Sequence, residues 1–259
     1  MIRYLLLAAG AGALVAVADG IPAAAQTASD QPAAGSQAGL EEIVVTARRK
    51  DEKLQTVPLS VMAITGKELE ARQISTGQDL ELLAPSLNVS SGNSRDVDRF
   101  SIGGQGTTLF GDPGVIAYFA EVPLASNGAG PGFYFDLANV QVLNGPQGTL
   151  FGRNTTGGAI LFEPQHPTDK FEGWGDFGDL ANVELKGAIN VPIVDGKLTI
   201  RVAFDRHTQD GYTKDVSTGK DLDNTDYWAE RVGVTFRPTD DIENYLVYYS
   251  TYSQNNGRG

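Results

Sequence analysis

The sequence predicts an α+β unit of about a hundred residues that gives way to long antiparallel strands. Three observations carry this. A glycine-rich run, NVQVLNGPQGTLFGRNTTGGAI from Asn139 to Ile160, joins two apolar strand segments. From Phe171 onward the texture changes to strict alternation of apolar and polar residues, the period of a strand with one face buried. The turns between the alternating segments are short at Asp195-Gly196 and Pro238-Thr239-Asp240-Asp241, whereas the connection from about His207 to Asn224 is long and polar.

The glycine run is a tight, irregular turn. A strand through Val140, Val142 and Leu143 breaks at Gly145-Pro146, passes Gly148, Gly152, Arg153, Gly157 and Gly158, and resumes over Ala159–Phe162. Glycine permits positive φ and close backbone approach, which such a turn needs. A phosphate cradle requires a helix opening after the glycines and a Lys-Ser/Thr pair. Here Gly157-Gly158 leads into another strand, so the run reads as a compact core element.

Composition narrows the function classes. The chain has 259 residues, 20 basic and 32 acidic side chains and a formal charge of -12, which argues against nucleic acid as a partner. It has no cysteine and only 2 histidines, removing disulfides, thiolate catalysis and ordinary zinc or haem sites. No cofactor or metal site is expected. No apolar run reaches the roughly 20 residues of a membrane-spanning helix, an absence that a membrane protein built of alternating strands shares.

In chain order, residues 1–25 read as an export signal, with Arg3 as its basic start, Leu5–Ala18 as its apolar core and Ala23-Ala24-Ala25 as the cleavage pattern. Residues 26–53 read as a flexible, Ala/Gln/Ser/Pro/Gly-rich linker that carries one β-prone segment, Leu40 to Ala47, ahead of Arg48-Arg49-Lys50. A lone extended segment is suited to adding as a strand to another protein's sheet edge. It is equally suited to being the first strand of the next domain.

Residues 54–165 form the mixed unit. Leu59–Thr65 reads as a strand, Lys67–Gln73 and Gln78–Leu83 as short helices, the second stopping before Pro85. Phe100–Ile102, Val115–Val122, Asn139–Leu143 and Ala159–Phe162 read as further strands.

In the alternating region, Val183, Leu185, Ile189, Val191 and Ile193 share one face, while Glu184, Lys186 and Asn190 share the other. Leu198, Ile200, Val202 and Phe204 oppose Thr199, Arg201 and Asp205; Val232, Val234 and Phe236 oppose Arg231 and Thr235. Such dyads fit a soluble sandwich or a transmembrane barrel. Loops short at one end and long at the other favour the barrel, and Trp174, Tyr212, Tyr227 and Trp228 near strand ends suit interfacial belts. Glu230, on the parity of Val232, and the apolar residues on both faces of Ile242–Tyr252 fit less well.

The ordered set of signal, EEIVVTA segment, glycine-rich unit and alternating strands resembles the TonB-dependent outer-membrane receptors over essentially everything after Ala25. The carrying segments are VPLSVMAITGKEL, VQVLNGPQGTLFGRNTTGGAI and DGKLTIRVAFDRHTQDGY. The resemblance implies that residues 54–165 are a plug, and that residues 170–259 are about the first five strands of a barrel of about twenty-two. The fold class is then an α+β plug domain followed by the first antiparallel strands of an incomplete transmembrane β-barrel. It implies that residues 41–47 hold the box that pairs with the periplasmic energy transducer TonB, through Glu42, Ile43, Val44, Val45, Thr46 and Ala47. Outer-membrane lipid and a scarce or large ligand, such as a ferric siderophore or other metal chelate or an oligosaccharide, are the remaining implied partners. The location implied is the outer membrane of a Gram-negative bacterium.

Two departures qualify the resemblance. Plugs of the family commonly carry Arg at the position of Gly103, and Glu and Arg at those of Gln141 and Asn144, charges thought to tie the plug to acidic groups on the barrel wall. Their loss is expected to weaken docking, because an unpaired wall carboxylate is costly. An open sheet cannot span lipid with unsatisfied edges, so the chain reads as part of a longer receptor or a truncated copy, unable to transport alone. The competing classes are a passive porin or soluble exported β-rich binding module, and an exported hydrolase. For the hydrolase, His207, read as lying in a polar loop, and His166 have no placed nucleophile. Asp205, Asp210, Asp215, Asp221, Asp223 and Asp226 crowd the long loop without the spacing of a calcium site.

Overall fold

The computed structural model describes residues 43–50, 52–91, 97–106, 111–124, 129–130, 132–178 and 182–257. The expected export signal, the linker up to residue 39, and Glu42 lie outside the described residues.

The described chain opens on a hairpin of β1 (Val44–Val45) and β2 (Glu52–Lys53), followed by a 3₁₀ turn at Leu54–Thr56. Strand β3 (Val61–Thr65) leads into α1 (Gly66–Ala71), and α2 (Gly77–Glu81) follows. Both helices begin where a side chain takes an orphan amide. The Glu68 N–H donates to Thr65 Oγ1 at 3.3 Å. At α2 the Asp79 N–H donates to Thr76 Oγ1 at 3.4 Å while Asp79 Oδ2 accepts the Thr76 N–H at 2.9 Å. Strands β4 (Leu87–Ser90), β5 (Arg99–Ile102) and β6 (Gln105–Gly106) make a small antiparallel sheet.

The central sheet adds β7 (Val115–Phe119), β8 (Val122–Pro123), β9 (Leu137–Asn144) and β10 (Gly158–Pro164) to β3, in the order β3-β9-β10-β7-β8, with β7 parallel to β10. Its central strands, β7, β9 and β10, are buried on both faces. Val140, Val142, Ile160 and Phe162 pack with Leu80, Phe100 and Phe119, while Leu143, Ala159 and Leu161 pack with Val45, Ala47 and Tyr118. The strand period of two sorts these residues into the two layers. Inside the glycine run the chain forms one helical turn, α3 (Gly148–Phe151), which the sequence reading lacks.

The second body is a five-stranded antiparallel wall. Its strands are β11 (Glu172–Phe177), β12 (Asn182–Val194), β13 (Leu198–Gln209), β16 (Thr225–Thr239) and β17 (Ile242–Ser253), in the order β11-β12-β13-β16-β17. Between β13 and β16 lies a small hairpin, β14 (Thr213–Lys214) with β15 (Asp221–Leu222). The sheet stays open, with β11 and β17 as its edges.

The wall is inside-out relative to a soluble sheet. Asn190, Thr199, Arg201, Asp205, Arg231 and Thr235 are buried, whereas Leu185, Ile189, Val202, Phe204, Phe236, Leu246 and Tyr248 are exposed. A sandwich buries the apolar parity of its strands; this sheet presents that parity outward, as a lipid-facing barrel wall does. Glu230 also faces outward, beside Phe204 and Ser250 on the neighbouring strands.

Several local readings are corrected. His207 lies within β13, and the long connection begins only after Gln209. Trp174 packs inward with Phe135 and Ala188, and Tyr227 is buried and donates to Asp205 Oδ2 at 3.1 Å, so neither joins an outer aromatic belt. Trp228 does face outward, stacked with Tyr252 at 6.4 Å between ring centroids. In the long connection Asp215 is exposed, and hydrogen bonds from Thr218 and Ser217 pull its carboxyl down to about 2. Among the described residues no cluster of acidic or histidine side chains is arranged to hold a metal ion.

Candidate functional site

The charged contacts between the α+β unit and the wall centre on Phe135-Asp136, at the entry to β9, and Tyr249 of β17 adds edge-on ring contacts to Phe119 and Phe133. Arg201 on β13 grips the Asp136 carboxylate with two nitrogens, Nε to Oδ2 at 2.9 Å and Nη2 to Oδ1 at 2.5 Å. Arg231 on β16 donates through Nη1 to the backbone oxygens of Phe135 and Asp136, both at 3.0 Å. Its guanidinium lies 4.6 Å from the ring centres of both Phe119 and Phe135. Bidentate, buried guanidinium contacts of this kind combine charge with fixed geometry.

The polarity of this docking is the reverse of the family expectation. The acid sits on the α+β unit and the cations on the wall. Of the three positions where family charges are missing, Gly103 occupies an exposed, left-handed turn between β5 and β6 (φ 58°). Asn144 donates to Ser60 at 3.4 Å while its Oδ1 stays buried and unpartnered. On the wall, Asp205 Oδ1 is buried without a hydrogen-bond partner.

Gln141 has a different role. It is fully buried at the centre of β9, on the face that meets the first hairpin. Its Oε1 accepts the Thr46 N–H at 3.1 Å, and its Nε2 donates to Thr46 Oγ1 at 3.1 Å and to Asn139 Oδ1 at 2.9 Å. The segment Ile43–Ala47 is therefore laid against the α+β unit. Val45 and Ala47 are 0 % exposed, Ile43 packs partly on the same cluster, and Val44 points outward at 47 %. The Leu54 N–H donates to Ile43 O at 3.0 Å, closing the hairpin beyond β1 and β2.

The glycine motif is a structural knot that turns β9 into β10. The Gly145 N–H donates to Gly157 O at 3.1 Å, the Gln147 N–H to Thr155 O at 2.9 Å, and Thr155 Oγ1 to Gly152 O at 2.8 Å. Pro146 precedes the single turn of α3, Gly148 opens it and Gly152 ends it, and Arg153 is exposed. Gly158 is required by space and conformation together: its φ is 150°, and a Cβ there would stand 2.2 Å from Leu143 O. Tyr118 Oη ties the knot to β7 by donating to Phe151 O at 2.5 Å.

The two ends of the wall differ. The short turns at residues 195–197 and 240–241 lie at one end, the β14–β15 hairpin at the other. A cavity of about 470 Å³ in the short-turn half is lined by Ile43, Val44, Lys67, Asn139, Glu172 and Arg201. One of about 370 Å³ at the long-loop end is lined by Asp98, Tyr134, His207, Asp226, Tyr227 and Asn255. Burial raises Asp98 to about 6, against hydrogen bonds from the Tyr134 hydroxyl and the Gly77 N–H that pull it down. Burial and the neighbouring Asp98 push Tyr134 well above the ordinary tyrosine value. His166, for its part, is an exposed side chain stacked on Tyr245 with its Nε2 3.0 Å from Glu163 Oε1.

The docking contacts escaped sequence reading because they pair residues 65 and about 95 positions apart. One signal was available: Arg201 and Arg231 both lie on the polar parity of their strands, where a wall packed on an inner body needs partners.

Comparisons with known proteins agree with this architecture. Residues 53–159 match the family model of the TonB-dependent Receptor Plug Domain. The pesticin receptor of Yersinia pestis is 28% identical over 190 residues, which is 72% of this chain and 28% of that protein. The crystal structure of the ferric yersiniabactin uptake receptor of Yersinia pestis matches with a TM-score of 0.67 at 26% identity, over 74% of this chain and 31% of that one. The pyoverdine outer membrane receptor of Pseudomonas aeruginosa shares the fold, with a TM-score of 0.64 at 14% identity over 81% of this chain and 30% of that one. The chain thus spans less than a third of the length of these relatives.

Proposed function

Because this chain belongs to the TonB-dependent receptors, with their plug domain and the antiparallel wall that follows it, we propose that it serves energy-coupled uptake across the outer membrane of a Gram-negative bacterium. The export signal at residues 1–25 delivers it there. The ligand class is a ferric siderophore, a reading supported by the 26%-identical receptor of Yersinia pestis named for ferric yersiniabactin uptake. The transducing partner is TonB, and the pairing segment is Glu42–Ala47.

The observation that carries this reading is the polarity of the molecule. The pairing segment borders the cavity in the short-turn half, and a separate polar cavity opens at the long-loop end. In outer-membrane barrels short turns face the periplasm and long loops face outward. Ligand and transducer then meet opposite ends of one plug, and occupancy at one end biases release of the segment at the other, a coupling free energy between two sites. A passive pore leaves the docked segment without a purpose, and a soluble binding module leaves the outward apolar face without one as well.

The test is Val44→Pro and Val45→Pro in the full receptor. Proline removes a backbone donor and fixes φ, so crosslinking of the segment to TonB should be lost in both. Crosslinking at the native level would refute the assignment of the segment.

A further inference from the structure

In an antiparallel pair, residues whose amides and carbonyls face the partner alternate with residues whose groups face away. The Leu54 N–H donates to Ile43 O, and Val44 and Val45 stand opposite Lys53 and Glu52. Ile43 and Val45 therefore point their backbone groups at β2, and Val44 and Thr46 point theirs at the free edge. On that edge, Thr46 O is taken by the Arg49 N–H at 2.7 Å, and the Thr46 N–H is taken by Gln141 Oε1 at 3.1 Å. The second arm of the same amide, Nε2, holds the Thr46 hydroxyl.

We propose that the Gln141 side chain is an intramolecular competitor for the strand that pairs with Ile43–Ala47. It occupies the Thr46 amide that an incoming strand must capture, and so sets how readily the segment is surrendered. This rests on the reading of that segment as the one that pairs with TonB. Strand addition draws its affinity from main-chain donors and acceptors. With β2 on one edge and Gln141 and Arg49 on the other, among the described residues of the segment up to Thr46 only Val44 keeps its edge-facing groups for a newcomer. The clamp is also neutral. A carboxylate at position 141 accepts but does not donate, whereas the amide does both, satisfying Thr46 and Asn139 together. Gln141 acts here as a positioning residue, through its hold on Thr46.

The experiment uses the full receptor in lipid, with Gln141→Met as a variant that keeps the shape and removes both polar arms. Two quantities are read: amide hydrogen exchange at Thr46 and association with the periplasmic domain of TonB. Losing one such hydrogen bond is expected to raise both by on the order of tenfold. Thr46→Val removes only the hydroxyl and keeps the bonded N–H, and is expected to retain most of the exchange protection. Native exchange at Thr46 in Gln141→Met overturns the clamp, and so does equal loss of protection in Thr46→Val, which would mean general loosening. Faster exchange with unchanged TonB association overturns the competition. If neither the native receptor nor the variant associates with TonB, the pairing reading of the segment fails while the clamp stands as a structural tie.

Discussion

Arg201 and Asp136 form a closed, two-pronged contact across the seam between wall and plug, with both side chains almost wholly buried. Removing one partner strands the other charge away from water, at a cost of about 3–5 kcal/mol. Arg201→Ala should therefore loosen the plug, with β9 and the first hairpin exposed to protease at lower denaturant concentration than in the native receptor. Replacing both residues by apolar ones of similar size should recover much of the loss. Limited proteolysis across a urea series measures both.

Asp98 gives the plug a pH dependence of definite sign. Its ordinary value of 3.8 is raised to about 6 by burial, so the folded state holds the proton more tightly than the unfolded chain. The stabilisation is complete below about pH 4 and is lost as the pH climbs through 6. Taken at about 1.4 kcal/mol per pH unit, the change is about 3 kcal/mol. Asp98→Asn keeps an acceptor for the Tyr134 hydroxyl and carries no charge. The variant should show a flatter denaturation midpoint between pH 4 and 7 than the native protein, and should be the more stable of the two at pH 7.

Gly158→Ala should be among the most damaging single substitutions in the plug. The added methyl meets a backbone oxygen across the β9–β10 pair and forces an unfavourable φ at once. A loss of about 3 kcal/mol or more is expected. Failure to yield protease-resistant plug, set against normal yield for Gly148→Ala, where a Cβ would stand in open space, checks it.

Glu230 lies on the lipid-facing parity, with Trp228 and Tyr252 as the next outward step of the wall. An ionised group on that face destabilises a barrel according to its depth. Glu230→Leu should stabilise the folded receptor by about 1–2 kcal/mol, measured as a shift in reversible urea unfolding in lipid vesicles. No shift would place Glu230 at the headgroup level.

Most of the architecture was legible because it is written in local periods. The dyads of β12, β13 and β16 sort their residues onto two faces, the loop asymmetry favours the apolar one outward, and Asp195-Gly196 and Asp240-Asp241 mark the turns. The aromatic belt was misread for a reason visible in the same pattern. Tyr227 shares its parity with Ala229 and Arg231, so it points inward however close it lies to a strand end. The single turn of α3 follows from closing the glycine knot, which no helical period announces. The clamps on Asp136 and Thr46 join distant strands, and a substitution read only as lost charge, Gln141, proved to be a gained pair of hydrogen bonds.

Where Phe135 meets the wall it rests on Ala188, Ala203 and Ala229, and Gly132 passes so close to Ala229 that a methyl group there would collide. Methyl-sized side chains offer nothing for a neighbour to hook behind. Along this lane the inserted body and its sheath touch without keying, so movement down the axis meets little mechanical resistance. Staying in place falls to the buried guanidinium contacts and to Tyr249, whose ring lies edge-on against Phe119 and Phe133.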